Sequence, residues 1–141
     1  MDDGCTVVVD VGKTNSKVSL CGVNGEVLAR RVRANTPREG LYRALDVREI
    51  DAWLMGSLRE FAQQHTVTRI VPVAHGAAAA LLHHGRVFVV PMDYEEEVRT
   101  EDRAQYDALR DPFSVTGSPA LPCGLNLGMQ LHRLEKLLGP L

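Results

Sequence analysis

From Thr6 to Val11 the chain reads Thr-Val-Val-Val-Asp-Val, a nearly continuous β-branched run broken by Asp10. That pattern predicts a strand buried on both faces. A short loop, Gly12-Lys13-Thr14-Asn15-Ser16, leads to Lys17–Cys21, which alternates as a second strand does. Asn24-Gly25 is a strong hairpin signal, and Glu26 to Ala29, continuing through Arg33, makes a third strand. The first third is therefore an antiparallel three-strand meander. Asp46 stands three residues before Glu49, the capping-box spacing with Asp in place of Ser or Thr. Behind it Val47, Ile50, Trp53, Leu54, Leu58 and Phe61 recur at helical intervals, predicting an amphipathic helix from Asp46 to about Gln64 with Trp53 in the core.

Arg69 to Val73 reads as another buried strand, and His75-Gly76 follows it. The run Ala77 to Leu82 is open to two readings: alanine favours a helix, while the short span before the turn at His83-His84-Gly85 and a strand at Val87–Val90 suits a hairpin equally. Beyond Pro91 lies an acidic stretch, Glu95 to Glu97, expected to be a solvated face, then a helix at Glu101–Leu109. Prolines and glycines stiffen the loop Thr116–Gly124. A last helix, Asn126–Leu138, sets Leu127, Leu131, Leu134 and Leu138 on one face and stops at Gly139-Pro140.

Composition narrows the class. With 141 residues, 45% hydrophobic and 24% charged, the chain fits one globular domain. No apolar run approaches the roughly 18 residues that span a bilayer, and Met1-Asp2-Asp3-Gly4 lacks a basic-then-apolar leader. A cytoplasmic location with no membrane partner follows as the expectation. A net charge of −2 with interspersed signs argues against nucleic acid, whose phosphates need a concentrated basic face. Three cysteines, Cys5, Cys21 and Cys123, suggest neither a disulfide framework nor a zinc site.

The segment Asp10 to Lys17 is where candidate chemistry concentrates. Backbone N–H groups of a tight turn can form an anion-binding concavity, and Gly12 allows close approach of a ligand. Thr14, Asn15 and Ser16 offer side-chain donors, and Lys13 and Lys17 offer mobile point charges of the kind that contact phosphate. Asp10, an isolated carboxylate in an apolar strand, suits Mg²⁺ bound through water and phosphate oxygens. An ordinary polar hairpin closed by a strand-end acid fits the same spacing, which is neither the Walker loop nor the dinucleotide fingerprint.

Asp10-Val11-Gly12-Lys13-Thr14-Asn15-Ser16-Lys17 resembles the first phosphate motif of the actin, hexokinase and sugar-kinase superfamily. More particularly, the chain resembles the N-terminal part of FGGY carbohydrate kinases. The resemblance runs nearly end to end, through the Asn24-Gly25 hairpin, the Trp53 helix, His75-Gly76, Asp93 and the Thr116–Pro122 loop. It implies a ribonuclease H-like (actin-like ATPase) α/β domain, truncated, with a mixed sheet and flanking helices. It also implies ATP and Mg²⁺ as cofactors and a sugar or polyol as substrate. Asp10 would assist Mg²⁺; Gly12, Lys13, Thr14, Asn15 and Lys17 would lie at the ATP phosphates; His75, Gly76 and Asp93 would lie at the sugar. Lys13 departs from the Thr or Ser of many members. Val73-Ala74 replaces the Gln-Met of xylulokinases, and the Arg-Glu of glycerol kinases is absent at Ala74-His75. Pro91 and Glu95 replace the Trp and Arg that flank Asp93 in the family pattern. Apart from the resemblance, a histidine at a strand end such as His75 is more often a satisfied structural residue than a ligand contact, and Asp93 reads equally as a solvated turn acid.

In such kinases the catalytic Asp, the second phosphate motif and the adenosine pocket come beyond the equivalent of Leu141. The chain is thus expected to be part of the first of two domains and inactive alone. The alternative is a non-catalytic sugar-binding or interaction module that kept the fold. A truncated sheet leaves an edge and an apolar face, which predicts self-association or dimerisation.

Overall fold

The computed structural model describes residues 4–140. The expectation drawn from Met1-Asp2-Asp3 lies outside the described residues. The chain divides into two compact units, one running up to Pro37 together with Leu45–Gly76, the other Arg38–Ala44 together with the chain from Ala77 onward.

The first unit is a four-stranded mixed sheet with one helix. Strands β1 (Cys5–Val11), β2 (Asn15–Cys21) and β3 (Val27–Ala34) form the expected antiparallel meander. Two-residue strands β4 (Pro37–Arg38) and β5 (Ala44–Leu45) pair with each other. Helix α1 (Val47–Gln64) then leads to β6 (Val67–Ala74), which returns parallel to β1, so the sheet order is β3-β2-β1-β6. The Asp46 carboxylate accepts from the Glu49 N–H at 3.2 Å and starts α1 where the capping pattern placed it.

Every second residue of β1 and β2 faces α1. Val7, Val9, Val18 and Leu20 bury there with Phe61, flanked by Trp53, Leu54 and Leu58. The face is completed at β3 by Arg31, whose guanidinium lies 5.4 Å from the Phe61 ring centre and donates to Glu60. That bond holds the Glu60 carboxyl below the usual carboxylate range.

Two expectations need correcting in this unit. β1 is buried on one face rather than both, since Thr6, Val8 and Asp10 are only half-buried. β6 is not a buried strand: Ile70 is 55% exposed, Val71 44% and Val73 48%. An apolar run carries no information about which neighbour covers it, and β6 is an edge of this sheet among the described residues. Pro72, which lacks an N–H for a second ladder, sits on that edge.

The second unit begins its long segment with the hairpin reading of the alanine run, and the helical alternative is not realised. β7 (Leu81–His83) pairs with β8 (Arg86–Val89) across His84-Gly85, both at positive φ (48° and 72°), as a two-residue hairpin turn requires. Helix α2 (Thr100–Leu109), the single turn α3 (Phe113–Thr116) and helix α4 (Leu127–Leu138) follow. Val89, Met92 and Leu134 form a small core with Tyr42 and Leu81 packed on it. Of the leucine stripe read from spacing, α4 buries Leu134 and half-buries Leu131 while Leu127 and Leu138 are exposed, and Met129 and Gln130 are buried with Leu134. The reason is polar. The fully buried Gln130 amide donates to the carbonyls of Ala77 (2.6 Å) and Gly124 (2.7 Å), which fixes the rotation of the helix.

Glu96 likewise departs from the solvated face expected of its run, accepting from Arg133 at 2.7 Å. Cys5, Cys21 and Cys123 are free thiols. No described helix is long and apolar enough to cross a membrane.

Replacing Phe61 by Ala is expected to cost about 3–5 kcal/mol, the usual range for a fully buried aromatic, read as a lower urea midpoint; a loss under about 1 kcal/mol would contradict this packing. In the second unit Lys136 donates to Asp102, which holds that carboxyl below its ordinary range. A depressed carboxylate stabilises the fold above its unfolded pKa and loses that contribution as pH falls through the folded one. The stability gap between the wild type and Lys136→Met is therefore expected to be present at pH 7 and to close below about pH 4. A gap unchanged on acidification would contradict it.

Candidate functional site

The sequence-predicted loop lies where β1 turns into β2. Val11 pairs with Ser16, and the Gly12 N–H donates to the Asn15 carbonyl at 3.0 Å, leaving Lys13 and Thr14 as a two-residue tip. The loop is thus shorter than the Gly12–Ser16 span expected, because β2 already begins at Asn15. Positive φ among described non-glycine residues occurs only at His84 and Cys123. Lys13 and Thr14 therefore do not form one of the primed turns that normally close a two-residue hairpin.

Asn35, just past β3, makes the contacts beneath this tip. Its side-chain N–H donates to the Gly12 carbonyl at 2.7 Å, and its main-chain N–H donates to the Thr14 carbonyl at 2.8 Å. Its side-chain oxygen accepts from the Ser16 hydroxyl at 3.0 Å. Both residues are buried, Ser16 almost completely. The sequence suggests Ser16 as a ligand-facing donor, and the structure corrects this: its buried hydroxyl is committed inward to Asn35. Thr14 and Asn15 are exposed and Lys13 is half-buried, so the tip presents side chains outward. Gly12 is required by space: a Cβ there would lie 2.9 Å from the Asn15 carbonyl oxygen.

Asp10 stands opposite Lys17 in the β1–β2 register, with Lys17 Nζ 3.5 Å from Asp10 Oδ2. Their side chains are 40% and 48% exposed. A pair so exposed contributes little stability and exchanges readily with other ions. The parallel pairing of β1 with β6 sets Asp10 beside Val73 and Val11 beside Ala74. The His75 N–H then donates to the Val11 carbonyl at 3.3 Å. Asp10, the Gly12–Lys17 segment and His75-Gly76 thus meet at one end of one sheet.

Asp93 belongs to the second unit. It is 7% exposed rather than a solvated turn acid. Its Oδ1 accepts from the Glu95 N–H at 3.1 Å and its Oδ2 lies 3.5 Å from Arg43 Nε. No cluster of three or more His, Cys, Asp or Glu suited to a metal occurs among the described residues. Asp10, a single accessible carboxylate beside a phosphate-type turn, fits an Mg²⁺ ion whose other ligands are water and nucleotide phosphate, the coordination Mg²⁺ favours.

Sequence reasoning missed Asn35. It lies 19 residues from Ser16 and 23 from Gly12, so no local spacing connects them.

No family model and no curated protein matches the chain. Solved structures do. The chain is 47% identical, with a TM-score of 0.88, to a carbohydrate kinase from Novosphingobium aromaticivorans, the match covering 98% of this chain and 30% of that one. A xylulose kinase from Rhodospirillum rubrum matches at 18% identity and TM-score 0.66, covering 94% of this chain and 29% of its own. A Plasmodium falciparum glycerol kinase solved with ADP matches at 10% identity and TM-score 0.63, with the same coverages. The last two show the fold alone. The class is thereby defined: this is the actin-like fold of the sugar kinases, and the chain resembles carbohydrate kinases in both sequence and structure. It spans about a third of the length of the kinases it matches.

Gly12→Ala is expected to cost about 1–3 kcal/mol, because the added methyl meets rigid backbone. Gly76→Ala, whose Cβ would meet nothing within 4 Å, is expected to stay within about 0.5 kcal/mol of wild type. Urea denaturation of both variants checks the contrast, and equal effects would contradict it.

Proposed function

We propose that this chain is the phosphate-binding part of the first of two domains of an FGGY-type, ATP-dependent carbohydrate kinase. Such an enzyme transfers the ATP γ-phosphoryl group to a hydroxyl of a ketose or related polyol, releasing ADP. The observation that carries the reading is the meeting of the Asp10–Lys17 segment with His75-Gly76 at one sheet end, in a chain 47% identical to a carbohydrate kinase over 98% of its length.

Each residue has a chemically suitable task. The Gly12 turn lets a triphosphate approach the backbone. Thr14 and Asn15 can donate to phosphate oxygens, and Lys13 and Lys17 neutralise their charge. Mg²⁺, when bound, would supply positive charge that offsets the charge developing in transfer. Asp10 would hold that ion through water, which would free Lys17 from its 3.5 Å pairing with Asp10 to meet the phosphates. His75 and Gly76, one strand away, suit contact with the sugar end of the reaction. Asp93, which the resemblance assigns to the sugar, would accept from a sugar hydroxyl in place of its ion pair with Arg43, since its other oxygen already accepts from the Glu95 N–H. Phosphoryl transfer also needs a base at the accepting hydroxyl and an adenosine pocket, and this reading assigns both to residues beyond Leu141.

The isolated chain is accordingly expected to bind Mg·ATP or a ketose without turning them over. Calorimetric titration with Mg·ATP and a panel of ketoses, run beside a coupled assay for ADP release, checks this. Turnover by the chain alone would contradict the division of labour, and absence of binding to every ligand would contradict the site.

The exposed apolar residues of β6, which is a sheet edge among the described residues, support self-association of the isolated chain. Sedimentation velocity is expected to show dimers or larger species at high concentration. A monodisperse monomer would contradict that expectation.

A further inference from the structure

We infer that Asn35 is the positioning residue of the Lys13-Thr14 tip, and that the shape presented to a phosphate chain is set from the segment just past β3 rather than by the loop itself. The inference rests on the phosphate-loop reading of the Asp10–Lys17 segment and adds to it a residue outside that segment.

Lys13 and Thr14 have no backbone preference that fixes them as a hairpin tip, since neither has positive φ. What holds the tip comes from elsewhere. Asn35 bonds the carbonyl on either side of Lys13, Gly12 through its side chain and Thr14 through its main chain. Its remaining side-chain atom is engaged by the buried Ser16 hydroxyl. The amide thus has one donor on Gly12 and its acceptor on Ser16, which fixes which way it is turned.

An aspartate could keep the Ser16 bond but would face the Gly12 carbonyl with a second acceptor. An alanine would lose both side-chain bonds and leave the buried Ser16 hydroxyl without its partner. Turning two carbonyls inward also directs the opposite side of the tip outward, where Thr14 and Asn15 are exposed. Preorganisation of this kind lowers the ordering cost of binding an anion.

The test is amide hydrogen exchange on the 141-residue chain, with and without Mg·ATP, for wild type, Asn35→Ala, Asn35→Asp and Ser16→Ala. In Asn35→Ala, exchange across residues 12–16 is expected to rise roughly tenfold to a hundredfold, the loss of two ordinary hydrogen bonds. The amides of Val7, Val9, Val18 and Leu20 are expected to stay as protected as in wild type. Asn35→Asp should behave like Asn35→Ala. Ser16→Ala, which removes one bond and leaves Asn35 in place, should give a smaller rise and keeps the test usable if Asn35→Ala does not fold.

Mg·ATP is expected to slow exchange at the tip in wild type and to do so less in the Asn35 variants. Unchanged loop exchange in the variants would overturn the inference, as would an equal rise in the core amides, which would make Asn35 a general structural residue. If Mg·ATP protects nothing in wild type, the phosphate reading fails, and the bracing role is decided by the exchange of the free chain.

Discussion

The parallel pairing of β1 with β6 is the constraint on which the site depends. β1 is the only strand of the sheet with one antiparallel and one parallel neighbour among the described residues. Its antiparallel side supplies a tight turn, and its parallel side brings the end of a distant strand to the same edge. Without β6 the Gly12 turn would be an ordinary hairpin, with no second element at its end. With it, a carboxylate, two ammonium groups and an imidazole share one rim of the sheet.

Two kinds of interaction keep that rim in place. The apolar layer of Val7, Val9, Val18, Leu20 and Phe61 fixes the register, because a one-residue slip would turn the buried set to the opposite face. The polar layer under the tip, Asn35 with Gly12, Thr14 and Ser16, fixes the turn within that register. The first is worth more in free energy, since it removes large side chains from water. The second is directional and so decides shape. The charged groups, Asp10 and Lys17, are left accessible at the surface, where they remain available for exchange with a ligand.

Much of this was legible in the chain itself because the signals are local. The β-branched run, the Asn24-Gly25 hairpin and the Asp46 cap each lie within a few residues of what they specify. What was hidden depends on distant partners. The apolar stretch Ile70–Val73 reads the same whether or not anything covers it, so its exposure could not be inferred. Ser16 offers itself as a ligand donor by sequence because nothing in its neighbourhood announces Asn35. In α4 a buried glutamine, Gln130, reaches the carbonyls of Ala77 and Gly124, partners that spacing along the helix does not announce, while Leu127 and Leu138 stay exposed. The alanine run was undecided between helix and hairpin, and the His84-Gly85 turn settled it.

The central claim is that the end of β1 receives the phosphates of a nucleotide. It is tested most directly by recording the ¹⁵N–¹H spectrum of the chain while adding Mg·ATP, then repeating the titration with Mg²⁺ alone. The account predicts that the largest shifts fall on the amides of Asp10 through Lys17, with His75 moving as a neighbour and Mg²⁺ alone producing little. Shifts confined to other parts of the chain, or none at saturating nucleotide, would contradict it.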